Sequence, residues 1–171
     1  ALLVADLGVF MIAKEYIPAM ELHISTQSNN TNWATVNAWH ALGAKRVVLA
    51  REMSLQEVRE IREKTQADLE MFVHGAMCIS YSGRCLLSTY FTGRDSNRGS
   101  CAQSGRWKYA LVEETRPGKY FPIEEDERGT YIMNSKDMCL LPHIADVIES
   151  GVDSLKIEGR MKSVHDAATV V

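Results

Sequence analysis

Four cysteines are the residues of this chain that most clearly suggest a chemical role. They are Cys78, Cys85, Cys101 and Cys139, in the pattern C-x6-C-x15-C-x37-C. Four thiolates are sufficient to hold one [4Fe-4S] cluster. A structural zinc ion also takes four thiolates, but usually from two pairs of closely spaced cysteines, and the sequence has no such pair. The spacing therefore favours an iron–sulfur cluster over zinc, with unligated thiols in the core as a third interpretation.

The composition is typical of a globular protein. The 171 residues are 46% hydrophobic and 24% charged, and the formal net charge of -3 gives no general attraction to nucleic acids or acidic membranes. No apolar run is long enough to span a membrane and no signal peptide is recognisable, so we expect a cytoplasmic protein. In a reducing compartment, four cysteines favour a metal site or redox chemistry over disulfides. The chain begins within a strand pattern and without methionine, which suggests a fragment.

Hydrophobic periodicity divides most of the chain into alternating strands and helices. Ser54 and Glu57 form a capping-box pair at the start of one helix. The alternation is typical of right-handed βαβ units in a parallel sheet. The predicted strands are Leu2–Asp6, Leu22–Ser25, Arg46–Ala50, Leu69–Val73 and Ser154–Glu158, and the predicted helices are Val9–Tyr16, Thr31–Leu42, Ser54–Thr65 and Leu140–Ser150.

The predicted strands have one apolar and one polar face, although parallel strands covered by helices on both sides should be apolar throughout. Leu69, Met71 and Val73 alternate with Glu70 and His74. In a (β/α)8 barrel, the apolar face packs on the helices and the polar face lines the interior. The pattern therefore predicts an α/β fold of this barrel type, with a doubly wound open sheet containing an ionic layer as the alternative.

The carboxyl ends of the predicted strands carry the candidates for an active-site pocket, because barrel enzymes place their chemistry there. Their side chains supply carboxylates, an amide, an imidazole and guanidinium groups, and no individual role is assigned. The candidate catalytic residues are Asp6, Gln27, Arg51, His74, Glu158 and Arg160.

The alternation of strands and helices is interrupted between Gly75 and Gly151, in a segment that contains all four cysteines. We interpret residues 75–151 as an inserted cysteine-containing subdomain. Short hairpins are predicted around Tyr109–Val112 and Tyr131–Met133.

Cations and aromatic residues alternate in the first part of this insertion. Cations can follow the phosphates of RNA while aromatic rings stack on unpaired bases, so the segment is a candidate RNA-binding surface. A solvated basic face over buried aromatic residues is the alternative. The cations are Arg84, Arg94, Arg98, Arg106 and Lys108, against the single acid Asp95, and the aromatic residues are Tyr90, Phe91, Trp107 and Tyr109.

Motifs of common hydrolases are missing from the sequence. It contains neither H-E-x-x-H nor G-x-S-x-G, and no two of the five histidines stand four residues apart on a predicted helix. A cysteine peptidase that pairs Cys78 with His74 is conceivable, because such pairs are defined by geometry rather than order.

A longer motif covers the strand that precedes the cysteines. The residues from Glu70 to Ser88 fit E-x-F-x-x-G-[SA]-x-C-x4-G-x-C-x-x-S at every fixed position. Further similar runs include KRVVLARE at Lys45–Glu52 and SLKIEGRMKS at Ser154–Ser163. On these motifs the chain resembles the peptidase U32 family along nearly its whole length.

The resemblance implies a TIM-like barrel, of which residues 1–171 hold the last five strands. The family is named for collagenase-like activity of some members, whereas relatives act in tRNA, rRNA and ubiquinone hydroxylation, and several carry a [4Fe-4S] cluster. The expectation for this chain is iron–sulfur-dependent hydroxylation of RNA, with a tRNA uridine as substrate. A collagenase-like peptidase acting on a peptide and an RNA-binding module with a structural metal cluster are the alternatives.

The sequence departs from the family pattern at one cysteine. The common run C-A-Q-P-C-R-W reads CAQSGRW from Cys101, so that Gly105 replaces a frequent cysteine. The remaining four are the expected cluster ligands, and the departure leaves Cys139 open as either a ligand or a buried thiol.

Overall fold

The computed structural model describes residues 1–76, 80–81, 84–107, 109–112, 114–122, 125–126, 129–130, 137–159 and 163–171. Several predictions fall elsewhere. Cys78, Lys108, Arg160 and the hairpin expected at Tyr131–Met133 lie outside the described residues, as does the side chain of Arg106.

The first 76 residues form alternating strands and helices, which confirms the predicted order. The elements are β1 (Leu2–Val4), α1 (Leu7–Tyr16), β2 (Leu22–Ile24), α2 (Trp33–Leu42), β3 (Arg46–Val48), α3 (Leu55–Lys64) and β4 (Asp68–Ala76).

Each of the three helices begins at a polar side chain that caps it. Asp6, Asn32 and Ser54 accept hydrogen bonds from backbone N–H groups of the first turn of α1, α2 and α3. The capping box between Ser54 and Glu57 is present as predicted. Gly43 ends α2 in the left-handed conformation, with φ of 103°.

The second half contains shorter elements: α4 (Leu87–Thr92), β5 (Ala110–Val112), β6 (Tyr120–Pro122), β7 (Glu125–Asp126), β8 (Gly129–Thr130), β9 (Asp137–Cys139), α5 (Ile144–Glu149), β10 (Ser154–Ile157) and α6 (Val164–Val170). β5 and β6 form the hairpin predicted near Tyr109–Val112. The helix expected from Leu140 begins instead at Ile144, after a 3-10 turn over Leu141–His143. Pro142 lies within that turn, where it supplies no N–H for a hydrogen bond.

The main sheet has six strands among the residues that the structure describes. β1, β2, β3, β4 and β10 are parallel neighbours in that order, so that the order in space follows the order in the chain. The sixth strand, β9, is antiparallel to the end of β4, with Cys139 opposite His74 and Asp137 opposite Ala76. The sequence did not predict β9, because its pairing with β4 joins residues that are far apart in the chain.

The hydrophobic core lies on one face of this sheet. It joins Val4, Ile24, Val47 and Leu69 of the strands to buried residues of four helices, Phe10, Val36, Val58 and Val147. This arrangement confirms that the apolar strand face packs on the helices. Leu155 and Ile157 of β10 differ from this prediction, because they remain 45% and 36% exposed. β10 ends the described sheet, so neighbouring elements cover it on one side only. No helix in the described ranges is long and apolar enough to cross a membrane.

Candidate functional site

The sheet face opposite the helices carries charged side chains from four adjacent strands. The strand register places His23 beside Arg46, Arg46 beside Asp68, and Phe72 beside Lys156. This confirms the predicted polar face. We call His23, Arg46, Asp68, Glu70 and Lys156 the charged face.

Glu70 lies at the centre of the charged face and binds three neighbours. Lys156 Nζ donates to Glu70 Oε1 at 2.7 Å, and Ser154 Oγ donates to Oε2 at 3.2 Å. Arg46 Nη1 donates to the same Oε2 at 3.4 Å. The Glu70 side chain is 12% exposed, against 30% for Lys156 and 27% for Arg46. A buried carboxylate is therefore balanced by two cations that still contact water.

These contacts decide the ionisation of Glu70. Burial opposes the charged carboxylate and raises its pKa, but the hydrogen bond and charge of Lys156, assisted by Ser154 and Arg46, outweigh burial and lower the pKa below its ordinary value of 4.5. Glu70 is thus an anion that fixes the positions of the two cations. It orders this face rather than acting as a proton donor near neutral pH.

His23 lies beside one of these cations, Arg46. Removal of the ring from water lowers the pKa of His23 below its ordinary value of 6.5, and the Arg46 guanidinium lowers it further. The carboxylates of Glu21 and Glu70 oppose this shift, and His23 Nε2 lies 3.7 Å from Glu21 Oε2. The ring is therefore neutral near pH 7.

Phe72 extends the charged face toward the carboxyl ends of the strands. The guanidinium carbon of Arg51 lies 3.8 Å from the Phe72 ring centroid, and Lys156 Nζ lies 5.5 Å from it. Both distances are within the range of cation–π contacts. Arg51, predicted as a pocket residue, is thus held against an aromatic ring of the motif at this end of the sheet.

His74 and Glu158 meet at the end of β4. The Glu158 N–H donates to the His74 carbonyl at 2.9 Å, while His74 is paired with Cys139 of β9. The intervening Gly75 has φ of +116°, and a Cβ there would collide with the carbonyl oxygen of Glu158 and lie 2.8 Å from its Cβ. The glycine of the motif is required for both its backbone conformation and this close approach.

Two further pocket candidates occupy different environments. Gln27 Nε2 donates to the carbonyl of Ser96 at 3.2 Å, which links the end of β2 to the insertion. Asp6 is exposed and its Oδ1 accepts from the Val9 N–H at 2.9 Å, as a cap of α1. The catalytic roles suggested for these residues, and for Arg160, stay predictions.

Cys85 and Cys101 lie in loops that contact the same helix. Cys85 precedes α4, and the N–H of Ala102, next to Cys101, donates to Ser88 Oγ of α4 at 2.9 Å. Burial raises the pKa of the Cys85 thiol, but hydrogen bonds from the backbone of Leu87 and Ser88 and from the hydroxyls of Ser80 and Ser96 outweigh it and lower the pKa. Cys101 Sγ accepts from the Gln103 N–H at 3.2 Å.

Cys139 is exposed on β9. Within the described part of the chain, no three histidine, cysteine, aspartate or glutamate side chains are arranged to hold a metal ion. Because Cys78 lies outside this part, the four-cysteine site stays a prediction.

The aromatic residues of the predicted RNA-binding segment form one group, which we call the aromatic cluster: Tyr90, Phe91, Trp107 and Tyr109. Its ring centroids lie 5.1 Å (Tyr90–Phe91), 6.2 Å (Phe91–Trp107), 5.8 Å (Phe91–Tyr109) and 6.5 Å (Trp107–Tyr109) apart. Tyr90 is 83% exposed, and Phe91 and Trp107 are each 46% exposed. The alternative of buried core aromatics therefore does not describe these three residues.

The predicted cations of the same segment are exposed wherever the structure describes their side chains. Arg84, Arg94 and Arg98 are exposed. Arg98 Nε lies 3.4 Å from Asp95 Oδ2, with 86% of its side chain exposed.

Sequence reasoning missed Arg46, Phe72 and Lys156 as site residues. All three occupy the polar positions of predicted strands, so the period-two alternation was the signal that could have identified them. Only the register, however, shows that Lys156 lies beside Phe72 and reaches Glu70.

The chain is similar to known proteins along nearly its whole length. It is 48% identical over 170 residues to tRNA hydroxylation protein P1 of Bacillus subtilis, which covers 99% of this chain and 40% of that protein. It is 42% identical over 168 residues to an uncharacterized protease of Methanocaldococcus jannaschii, covering 95% of this chain and 40% of the relative. It is 37% identical over 164 residues to a 23S rRNA 5-hydroxycytidine synthase of Escherichia coli, and the match covers 96% of this chain and 24% of that protein.

The chain thus spans less than half the length of these relatives. No solved structure gives a significant match. The family model described as Peptidase family U32 matches residues 1–171. The motif from Glu70 to Ser88 begins on β4. Because the family model matches the whole chain, the chain belongs to peptidase family U32.

Proposed function

We propose that the protein takes part in the hydroxylation of an RNA base, with a tRNA uridine as its substrate. The observation that carries this proposal is the 48% identity, along 99% of the chain, to a protein named for tRNA hydroxylation. A second relative is named as a synthase of a hydroxylated rRNA base, which supports RNA as the substrate class. The proposal also implies a cytoplasmic location, because its RNA substrate is found there.

The same proposal includes a TIM-like barrel that contains these five parallel strands. Their order in space follows the chain, and four helices pack on one face of the sheet, as the winding of a (β/α)8 barrel requires. A doubly wound sheet instead reverses its strand order and covers both faces. Residues 75–151 are the proposed insertion, because β9 returns from them to β4 before β10 resumes the parallel order.

The charged face gives the proposed site cations whose positions are fixed by neighbouring carboxylates. Lys156 and Arg51 approach Phe72, and Glu70 holds Lys156 and Arg46 in place. Positioned cations stabilise negative charge on a substrate more effectively than mobile ones, because no reorganisation is needed when it binds. His74, Gln27 and Glu158 lie at the strand ends, where they are candidates to contact the base.

A [4Fe-4S] cluster, with zinc as the alternative, belongs to this proposal as its cofactor. Its ligands would be Cys78, Cys85, Cys101 and Cys139. Two observations suit thiolate ligands: the donors around Cys85 favour its ionised form, and Cys101 Sγ accepts a backbone N–H. Such hydrogen bonds to sulfur tune bound clusters, which supply electron transfer.

Nucleoside analysis tests the proposed function. The gene is deleted, and tRNA and rRNA are separately digested and analysed by liquid chromatography and mass spectrometry. We expect the loss of one hydroxylated nucleoside from tRNA and its return when the intact gene is restored. Loss from rRNA alone would reassign the substrate, and unchanged nucleosides in both fractions would contradict the proposal.

A peptidase is the second candidate, because one relative is named as a protease. Its test is hydrolysis of gelatin and of a collagen-derived peptide by the full-length protein, with Cys78→Ser as the variant. Hydrolysis that depends on Cys78 would favour the peptidase, whereas the RNA proposal predicts none.

A further inference from the structure

We propose that the aromatic cluster, together with the exposed Arg84, Arg94 and Arg98 of the same segment, is a platform on which unpaired RNA bases stack. The inference rests on the proposed function for its choice of RNA as the partner. It adds the part of the RNA that is recognised, which is a single-stranded segment rather than a duplex.

The rings of the aromatic cluster contact one another. Trp107 and Tyr109 are nearly parallel, with an interplanar angle of 25° and centroids 6.5 Å apart, and Phe91 contacts both. The cluster is thus contiguous, although Tyr90, Phe91 and Trp107 remain at the surface. Stacking on exposed aromatic rings is how proteins hold unpaired bases without strong sequence preference.

The segment that contains the aromatic cluster is basic. The whole chain has a formal charge of -3, but Arg84, Arg94 and Arg98 lie at the surface of this segment with Asp95 as the only acid from Arg84 to Trp107. Each nucleotide of RNA carries a phosphate and a base. A surface that offers both cations and aromatic rings therefore matches both parts of the nucleotide. A peptide without acidic groups offers no comparable reason for the cations.

A hydrogen bond links the segment of the platform to the main sheet. Gln27, just after β2, donates to the carbonyl of Ser96, which begins a 3-10 turn that ends at Arg98. The platform is therefore attached to the carboxyl end of the sheet, where the candidate pocket residues lie. Bases that flank a target nucleotide can be held on the platform while the target reaches the strand ends.

Binding measured by fluorescence anisotropy tests the inference. The probes are a labelled single-stranded oligoribonucleotide and a duplex RNA of the same length, added to the full-length protein. We expect Trp107→Ala to weaken single-strand binding about tenfold, and Trp107→Phe to restore most of it. Tyr16→Ala is the matched control, because Tyr16 is also exposed (74%) but lies on α1. It should change affinity by less than about twofold.

Two further measurements keep the test independent of folding. Tyr90→Ala removes the most exposed ring of the cluster and should still weaken binding about fivefold. The Arg94→Ala, Arg98→Ala double variant should flatten the dependence of log affinity on log salt by about 1.4, since each phosphate contact on a single strand contributes about 0.7.

The inference is overturned if the Trp107 and Tyr90 variants bind as the wild type does, or if duplex RNA binds as tightly as the single strand. Absence of RNA binding by the wild-type protein would also overturn it. Because this titration requires no hydroxylation, its failure is distinct from that of the nucleoside analysis.

Discussion

The ion pair between Glu70 and Lys156 should be the strongest single polar contribution to the charged face. The perturbation is Glu70→Gln, which keeps the size of the side chain and removes its charge. Lys156 Nζ then loses a carboxylate at 2.7 Å, and Arg46 loses one at 3.4 Å. Removing one partner of a buried pair costs about 3–5 kcal/mol. Because Lys156 and Arg46 are 30% and 27% exposed, water offsets part of this cost, and we expect about 2–3 kcal/mol.

Urea denaturation of the full-length protein, followed by circular dichroism, measures this loss in the free energy of unfolding. The matched control is Glu60→Gln, because Glu60 also binds a lysine at 2.7 Å but in an exposed pair. That control should cost less than about 0.5 kcal/mol. Adding Lys156→Met to Glu70→Gln should recover at least about 1 kcal/mol, as a coupled pair requires. Equal losses in Glu70→Gln and Glu60→Gln would refute this account of the charged face.

The remaining predictions concern the backbone and the pH dependence of stability. Gly75→Ala should destabilise the protein by about 3 kcal/mol, because it combines a positive φ with a collision against the backbone after β10. The control is Gly93→Ala, where φ is +70° and the space around the residue is open. It should cost only about 1 kcal/mol in the same urea experiment. Since the pKa of His23 is lower in the folded protein than its ordinary value of 6.5, the neutral ring stabilises the fold above that pH, and stability should fall as the pH decreases from 6.5 through the folded pKa. His23→Gln should remove this part of the pH dependence, and an unchanged profile would contradict it. The carboxylate of Glu70, whose pKa is also lowered, should lose its contribution at more acidic pH, below about 4.5.

The regular part of the fold was predictable because its signals are local. Each helix of the first half has a capping residue and an apolar stripe, and each strand has a period of two, so the order of elements and the two faces of the sheet follow from short windows of sequence. The capping box at Ser54 is confirmed for the same reason. The helix expected from Leu140 was wrong at its start, because Pro142 forms a turn first.

The site was less predictable because its contacts join distant parts of the chain. Glu70 and Lys156 are 86 residues apart, and Gln27 and Ser96 are 69 apart, so only the register of the strands and the path of the insertion bring them together. The strand β9 is similarly non-local. Periodicity identifies which face a residue occupies, but it does not identify the partner on the neighbouring strand.

The proposal that the protein takes part in RNA hydroxylation is tested most directly by mass analysis of the nucleosides in purified tRNA from a strain that lacks the gene. We expect a uridine derivative that carries one additional oxygen atom to disappear in this strain and to return with the intact gene. An unchanged level of every hydroxylated nucleoside would contradict the claim.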